Sequence, residues 1–344
     1  MRFPEFTGEW EKCKFKDVCK VETGNKNTQD KVENGLYPFY VRSQNVERIN
    51  SWSFDGEAIL TAGDGVGVGK VFHYSIGKIG VHQRVYILND FKCDGKYLYN
   101  YFSNRFYNRV KRLSAKNSVD SVRMEMITEM PLSLPSLEEQ SKIGCLLSLL
   151  EERITTQNKI IEKLESLIRG LCLKLVSQGI PNTALNTCLE CHSSILQEKS
   201  VTTDGKYPVY GAAGICGYSN TPEASGDSIL IIKDGASVGA TFYVSGEYSA
   251  IGTLNRLTAR SGCSLRYLYY CLKIFDFSQY KTGQAIPHIY FRDYGIAKIW
   301  RPSLAQQEHI AGILTSIDTK IQMERSLLER LTIQKRFLLQ KMFI

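Results

Sequence analysis

Three short segments of the sequence carry side chains that could do chemistry. Residues 188–192 read Cys-Leu-Glu-Cys-His, which is the spacing of covalent haem attachment and of half a zinc site. Residues 63–70 are rich in glycine and end in Lys70, as phosphate-binding loops do. Residues 23–27 and 42–45 are rich in Asn, Gln, Lys and Arg, whose side chains can hydrogen-bond to the edges of nucleic-acid bases.

The glycine-rich segment departs from the phosphate-loop pattern. Position 64, where the first glycine should stand, is Asp, and Lys70 is followed by Val71 instead of Ser or Thr. The segment also lies between two predicted strands, whereas a phosphate loop needs a following helix whose amides face the anion. We therefore interpret residues 63–70 as a structural turn.

The cysteine segment also lacks the rest of its site. Cys216, Cys263 and Cys271 do not supply a second pair at zinc-ligand spacing, and haem attachment requires export, for which the sequence has no signal. Ten cysteines without such a signal suggest reduced thiols in a cytoplasmic protein. We predict no metal site, no cofactor in this chain and no membrane span.

Catalytic motifs are missing as well. The histidines are scattered, and neither a Gly-x-Ser-x-Gly elbow nor an H-E-x-x-H helix occurs. The sequence also lacks the Asn/Asp-Pro-Pro-Tyr/Phe motif with which an amino-methyltransferase positions its target amine. We predict that the chain has no catalytic residues and is not an enzyme.

The polar segments, together with a net charge of +8, point to a polyanion partner such as DNA. Arginine makes paired hydrogen bonds to guanine, and Asn and Gln do so to adenine, while Lys and Arg bind phosphates. Polar loops and a modest positive charge are also common on any solvated surface, so both interpretations stand. The predicted DNA-binding residues are Asn25, Lys26, Asn27, Arg42, Ser43, Gln44, Asn45, Arg105, Arg109, Lys111, Arg112, Lys116, Tyr210, Lys281, Gln284 and His288.

These residues belong to a sequence that is duplicated. Tyr37-Pro38 recurs as Tyr207-Pro208, 170 residues later, and the Tyr-Leu-Tyr at 97–99 recurs at 267–269. Further along the offset becomes 167, since the Pro-Ser-Leu at 135–137 recurs at 302–304. A nearly constant offset over this length indicates two copies of one globular unit, each followed by a helix.

Each copy opens with short β-branched and aromatic runs separated by Gly, Asn and Asp, which predict strands and turns. The predicted strands are 37–41, 58–61 and 69–74 in the first copy and 207–210, 228–232 and 240–244 in the second. A short aromatic helix follows near 95–108 and near 264–276. Strands first and a helix later predict an α+β fold.

Apolar residues then recur at alternating spacings of four and three, which is typical of coiled-coil helices. The predicted helices run from 136 to about 176 and from 303 to 343, each about 60 Å long at 1.5 Å per residue. If they pair antiparallel, they form a rigid spacer between two units related by pseudo-two-fold symmetry. We assign the following residues to these subunit-interface helices: Ile143, Leu147, Leu150, Ile154, Gln157, Ile161, Leu164, Ile310, Leu314, Ile317, Ile321, Glu324, Leu328 and Leu331. Of these, Gln157 and Glu324 are either tolerated defects or a polar layer that sets the register.

The sequence resembles the specificity subunits of type I restriction-modification systems over its whole length. The resemblance is carried, in order, by residues 2–6 (Arg-Phe-Pro-Glu-Phe), Trp10-Glu11, 137–140 (Leu-Glu-Glu-Gln), 283–289 (Gly-Gln-Ala-Ile-Pro-His-Ile), 302–307 and 339–344. In the first copy, residues 116–122 replace the Gly-x-x-Ile-Pro-His segment. A shared role for this segment in both copies therefore does not follow.

The resemblance implies two target recognition domains, at 1–134 and 179–301, separated by spacer helices at 135–178 and 302–344. Each domain would read one half of a split double-stranded DNA sequence. The subunit would gather two modification subunits, which methylate adenine with S-adenosylmethionine, and possibly two restriction subunits, which hydrolyse ATP with Mg2+. A self-contained enzyme such as a nuclease, and a coiled-coil scaffold that binds no DNA, are the alternatives.

Overall fold

The computed structural model describes residues 2–114 and 121–343, and the chain divides into two compact units. Unit 1 consists of residues 1–158 and 327–344, and unit 2 of residues 159–326. Each unit thus contains one copy of the globular part together with stretches of both long helices. The α+β prediction is confirmed in both units, while the four segment boundaries proposed above stay a prediction.

Among the described residues of unit 1, eight strands and three short or medium α-helices precede the first long helix. The strands are β1 (Glu11–Lys14), β2 (Lys20–Thr23), β3 (Tyr37–Tyr40), β4 (Glu47–Ile49), β5 (Phe54–Ala62), β6 (Phe72–Val81), β7 (Val85–Asn89) and β8 (Pro131–Leu134). The helices are α1 (Phe15–Val18), α2 (Gly95–Leu113), α3 (Met124–Thr128) and the long helix α4 (Leu137–Val176). Six strands form one sheet in the order β2-β7-β5-β6-β3-β4, in which only β3 and β6 pair in parallel.

The strands of unit 2 repeat this arrangement, with the counterparts of β5 and β6 each divided in two. They are β9 (Thr183–Ala184), β10 (Leu189–Ser193), β11 (Tyr207–Gly211), β12 (Gly214–Ser219), β13 (Ala224–Ser225), β14 (Ser228–Ile232), β15 (Thr241–Val244), β16 (Glu247–Ala250), β17 (Leu254–Ala259) and β18 (Lys298–Ile299). The helices are α5 (Leu185–Cys188), α6 (Leu265–Ile274), α7 (Phe291–Tyr294) and the long helix α8 (Leu304–Met342). Two four-stranded sheets, β10-β17-β14-β15 and β12-β11-β16-β13, replace the single six-stranded sheet.

Equivalent glycines lie at the place where one sheet becomes two. In unit 1, Gly56 and Gly77 face each other across β5 and β6, both with positive φ, and the ladder continues past them. In unit 2, Gly226 and Gly246 also have positive φ, and here they interrupt the ladder. Glycine adopts these angles at little steric cost, and both copies carry a facing pair of glycines at the same place. In unit 1, Ile79 and Val81 at the end of β6 join a buried apolar cluster with residues of β5 and β7.

The two long helices pair antiparallel, as predicted. Within unit 1, Lys335 near the end of α8 forms an ion pair with Glu151 in the first half of α4. Within unit 2, Arg325 lies 2.5 Å from Glu165. From Glu151 to Glu165 along α4, the paired residue of α8 changes from Lys335 to Arg325, so the two helices run in opposite directions.

The predicted seam residues are all buried or half-buried, and this includes Gln157 and Glu324. Within unit 1, Ile143, Leu147 and Leu150 share one apolar cluster with Leu331, and within unit 2 a second cluster contains Ile310, Leu314 and Ile321. The chain itself covers these residues, as expected of a seam between paired helices, and a role of these helices at a subunit interface stays a prediction. The long helices expose other apolar side chains: Leu149, Ile160, Leu167, Leu173, Ile313, Met323, Ile333 and Phe337.

Candidate nucleic-acid interface

In unit 1, the turn between β6 and β7 organises three loops. The backbone amide of His82 donates to the carbonyl of Tyr40 at 3.0 Å, and that of Gln83 to the carbonyl of Lys26 at 2.9 Å. The carbonyl of Arg84 accepts from the amide of Gly63 at 2.8 Å. Consecutive residues of one turn therefore fix the loops that follow β2, β3 and β5.

This arrangement brings together the two polar segments predicted from the sequence. We call the resulting surface the polar loop face, formed by residues 25–27, 42–45, 64, 70 and 82–84. The side chains of Asn25, Asn27, Arg42, Ser43, Gln44, Asn45, Lys70, Gln83 and Arg84 are exposed, and that of Lys26 is half-buried. Within the face, the side-chain amide of Gln83 donates to the side-chain oxygen of Asn27 at 2.8 Å. The ammonium of Lys26 donates to the hydroxyl of Ser51, outside the face, at 3.0 Å.

One carboxylate orients two arginines on this face. Asp64 accepts a hydrogen bond from Arg42 at 2.8 Å and lies 3.7 Å from Arg84. Ion pairs exposed to this extent contribute little stability, about 0 to 1 kcal/mol. Because two guanidinium groups share one carboxylate, the cluster keeps a net positive charge, and both arginines retain donors for another acceptor.

His82, Gln83, Arg84 and Lys70 were not predicted from the sequence. Residues 82–84 separate two runs rich in β-branched residues, so a strand–turn–strand pattern could have marked them. Lys70 lies in the glycine-rich turn, and its ammonium is 5.4 Å from the ring centre of Tyr107 in α2. That turn lies between β5 and β6, as predicted, and β6 begins two residues after Lys70.

Two arginines of the predicted phosphate-binding run have structural roles instead. Arg105 donates to the backbone carbonyl of Phe343 and packs over the ring of Tyr101, 5.0 Å from its centre. Arg109 donates to the carbonyls of Met126 and Glu129, both at 2.8 Å. We therefore remove Arg105 and Arg109 from the proposed phosphate contacts. Lys111 and Arg112 are exposed, and Lys116 lies outside the described residues.

Unit 2 repeats the same backbone framework. The amide of Ile251 donates to the carbonyl of Tyr210 at 2.9 Å, and that of Gly252 to the carbonyl of Leu196 at 2.8 Å. The carbonyl of Thr253 accepts from the amide of Lys233 at 2.9 Å. These three bonds match those of residues 82–84, so residues 251–253 are their structural equivalents.

The side chains on the two frameworks differ almost completely. In unit 2, Leu196 replaces Lys26, Ala212 replaces Arg42, and the Gly252-Thr253 pair replaces Gln83-Arg84. We call the surface formed by residues 194–196, 211–215, 233–235, 251–253 and 282–288 the second loop face. Tyr210, predicted to contact DNA, is half-buried there, with its ring 5.8 Å from that of Tyr248.

The segment that differs between the copies docks at the same place in both. In unit 2, the amide of Ile289 donates to the carbonyl of Lys233 at 2.9 Å, and His288 bridges to Asp234. In unit 1, the amide of Val122 donates to the carbonyl of Gly63 at 2.7 Å, and Ser121 bridges to Asp64. The predicted residues Lys281 and Gln284 are exposed on this segment, whereas His288 is half-buried.

The cysteine segment at 188–192 is part of the fold of unit 2. Burial raises the pKa of the thiols of Cys188 and Cys191 to about 11, which disfavours the thiolate form that metals bind. His192 lies 3.2 Å from the hydroxyl of Thr258 on the neighbouring strand. Within residues 2–114 and 121–343, no three potential metal ligands lie close enough to hold an ion. Nor does any helix of this part of the chain have the length and apolar character that a bilayer crossing requires.

Known proteins with similar sequences are type I restriction enzyme subunits. The chain is 25% identical over 178 residues to the EcoDI specificity subunit of Escherichia coli, covering 52% of the chain and 38% of that relative. It is 28% identical over 200 residues to the MjaVIII specificity subunit of Methanocaldococcus jannaschii, covering 52% and 44%. The chain thus spans less than half the length of these curated relatives.

Solved structures with the same fold cover nearly the whole chain. The type I restriction-modification S subunit from M. genitalium superposes with a TM-score of 0.81 at 19% identity, covering 99% of this chain and 97% of that one. A chain from a structure of the type I R-M system concerned with complex assembly and conformational transition superposes with a TM-score of 0.53 at 15% identity, covering 98% of both.

The sequence model of the type I restriction modification DNA specificity domain matches residues 7–166 and 190–332, which takes in both copies of the duplicated unit. The chain therefore belongs to the family of type I restriction modification DNA specificity domains.

Proposed function

We propose that this chain recognises a bipartite double-stranded DNA sequence as the specificity subunit of a type I restriction-modification complex. The observation that carries the proposal is the pair of loop faces, which share one backbone framework but display unlike side chains. Two readers with a common scaffold and different surfaces suit a DNA site with two different halves. The spacing role of the long helices stays a prediction.

Unit 1 would read its half-site by hydrogen bonding. Arg42 and Arg84 have the donors for guanine, and Gln44, Gln83 and Asn25 have the paired donor and acceptor for adenine. Lys26, Lys70, Lys111 and Arg112 are candidates for phosphate contacts, and Lys281 is one in unit 2. Compared with the sequence-based set, this assignment adds Lys70, Gln83 and Arg84 and omits Arg105 and Arg109.

The partners of the chain would be two modification subunits and, where restriction occurs, two restriction subunits. S-adenosylmethionine, ATP and Mg2+ would be bound by those subunits, so this chain would catalyse no reaction alone. The exposed apolar residues of the long helices, such as Leu167 at 50% and Met323 at 61% exposure, support a partner-binding role for these helices. The seam residues do not, because they are already covered.

Salt dependence of DNA binding tests the proposal. Six to ten phosphate contacts would reduce affinity by about 10³ to 10⁵-fold between 50 and 200 mM salt. Lys26→Ala should reduce the slope of log affinity against log salt by about one, and Lys163→Ala, an exposed change on α4, is the charge-matched control. An affinity that stays constant over this salt range would reject DNA binding and favour the scaffold alternative.

Sequence selection from random duplexes tests the division into two readers. Arg42→Ala or Gln44→Ala should relax the base preference in one half of the selected site and leave the other half intact. Loss of preference in both halves would contradict independent readers.

Incubating the wild-type chain with duplex DNA, Mg2+ and S-adenosylmethionine should give neither cleavage nor methylation, and either product would support the self-contained enzyme.

A further inference from the structure

The second loop face displays isoleucines where the polar loop face displays asparagines. Ile195 precedes Leu196, the equivalent of Lys26, so it stands where unit 1 has Asn25. Three pairs of β3–β4 recur in β11–β12 at an offset of 170, and at the same offset in sequence Ile215 corresponds to Asn45. Ile215 pairs with Tyr210 just past a register shift of β11. Exposure of the side chains is 92% for Ile195 and 54% for Ile215.

A third isoleucine belongs to the same face. Ile286 is 65% exposed, and the carbonyl of the next residue, Pro287, accepts from the amide of Gly235 at 2.9 Å. The amide of Ile289 and the carbonyl of Thr253 both bind Lys233. The loop that carries Ile286 is thereby joined to the 251–253 turn that organises the face.

The surroundings of these isoleucines do not form a continuous apolar patch. Residues 211–214 are Gly-Ala-Ala-Gly, and Gly252 lies in the central turn, so small residues separate the large ones. A Cβ added at Gly214 or Gly235 would meet no atom within 4 Å, which shows that the backbone there borders open space. Single apolar side chains spaced by bare backbone suit a partner with small, separated apolar groups more than another protein's apolar face.

Thymine offers such groups. In the major groove, the edges of the base pairs present hydrogen-bonding atoms, and the 5-methyl group of thymine is the apolar group among them. We propose that unit 2 recognises its half-site by packing Ile195, Ile215 and Ile286 against thymine methyl groups, while unit 1 reads by hydrogen bonds. This inference rests on the proposed function and names the chemistry of its second half-site.

Deoxyuridine provides the direct test, because it lacks the 5-methyl group and keeps the hydrogen-bonding atoms of thymine. The full chain is first used to select its preferred duplex, and Arg42→Ala identifies the half read by unit 1. Thymines in the other half are then replaced by deoxyuridine. Burial of a methyl-sized group predicts that binding weakens about four-fold for each contacted methyl. The same replacement in the half read by unit 1 should change affinity less than two-fold.

Variants assign the effect to the isoleucines. Ile195→Ala and Ile215→Ala should each lower affinity for the thymine duplex and reduce the preference for thymine over deoxyuridine by about four-fold. Ile180→Ala is the matched control, since Ile180 is 86% exposed and lies between α4 and β9, outside the second loop face. It should leave the preference for thymine unchanged.

Sequence-specific binding that is insensitive to deoxyuridine in the second half, or a second half without thymine, would overturn this inference and leave the proposed function standing. A preference for thymine that is undiminished in both isoleucine variants would also overturn it. Absence of salt-dependent DNA binding would reject the proposed function itself, so the two failures are distinguishable.

Discussion

His82 occupies the centre of the polar loop face and is only 5% exposed. The backbone amide of Arg84 donates to its Nδ1 at 3.0 Å, so this nitrogen carries no proton, and Nε2 lies 3.2 Å from the hydroxyl of Thr28. Burial and then the positive charge of Arg42 lower the pKa of His82 below its ordinary value of 6.5, against the opposing effect of Asp64. The fold therefore holds the neutral imidazole.

This neutral histidine should make the stability of unit 1 depend on pH. Because the pKa is lower in the folded chain than in the unfolded chain, the unfolded chain binds the proton more readily. The stability that unit 1 gains while His82 is neutral is fully present above pH 6.5. It is lost as the pH falls from 6.5 through the pKa that His82 has in the folded chain. Denaturant unfolding at pH 7.5 and 5.5 should show wild-type stability falling with acidification, and His82→Gln should reduce the size of that fall. Equal falls in both proteins would contradict the assignment.

Single side chains also show what the sequence could not reveal. In the sequence, Arg105 and Arg109 look like phosphate ligands, because the carbonyl groups that bind them are not their neighbours in the chain. The carbonyl that binds Arg105 is 238 residues away. Arg84 looked unremarkable because its place on the face depends on pairing with Gly63. Residue type predicts which groups a side chain can bind, whereas tertiary contacts decide whether it remains available.

At the scale of elements, one glutamine in each copy fastens the short helix to the long helix. In unit 1, Gln140 accepts from the amide of Asp94, the N-cap of α2, at 3.0 Å and donates to the carbonyl of Pro135 at 2.8 Å. In unit 2, Gln307 makes the same two bonds, to Ser264 and Pro302, at 2.9 Å each. This duplicated contact gives a structural reason for the recurrence of glutamine at the start of both long helices.

Removing either glutamine should destabilise its own unit. Gln140→Ala leaves a buried amide and a carbonyl without their partner, which costs about 1 to 3 kcal/mol for each buried group left unsatisfied. Gln307→Ala should do the same in unit 2. Gln334→Ala, an exposed position within α8, should change the free energy of unfolding by less than about 0.5 kcal/mol. Chemical denaturation measures all three, and a Gln140→Ala protein as stable as Gln334→Ala would contradict the bridging role.

The long helices and part of the strands could be predicted, because periodicity and turn residues are local properties, whereas strands such as β7 and β17 were not predicted. The long helices at Leu137–Val176 and Leu304–Met342 lie within one residue of their predicted ends. Local signals did not reveal that α2 has 19 residues and α6 only 10. The difference in length between α2 and α6 lies in the region where the repeat offset changes from 170 to 167. The change of offset therefore reflects elements of different length in the two copies. Splitting of the unit 2 sheet at Gly226 and Gly246 likewise depends on strand pairing, which no local pattern contains.

At the scale of the whole molecule, unit 1 is discontinuous in sequence, whereas unit 2 is one continuous segment. The last part of unit 1 is residues 327–344, which follow the whole unit 2 segment in the sequence. Phe343 is 1% exposed in unit 1, and its ring lies 5.4 Å from those of Tyr97 and Tyr101 in α2. The duplicated sequence therefore does not fold as two consecutive pieces, and the core of unit 1 includes residues that come from beyond unit 2.

This organisation predicts that a change at residue 343 acts on unit 1. Phe343→Ala removes a buried aromatic ring and should lower the stability of unit 1 by about 3 to 5 kcal/mol, as large-to-small changes of this kind do. Hydrogen exchange should show faster exchange of the amides of α2, while those of β14 in unit 2 keep their protection. Phe337→Ala, at a position 48% exposed on α8, is the matched control and should leave both patterns near wild type. If Phe343→Ala instead loosened β14 as much as α2, the two units would unfold as one, and unit 1 would not be the separate cooperative body that its packing indicates.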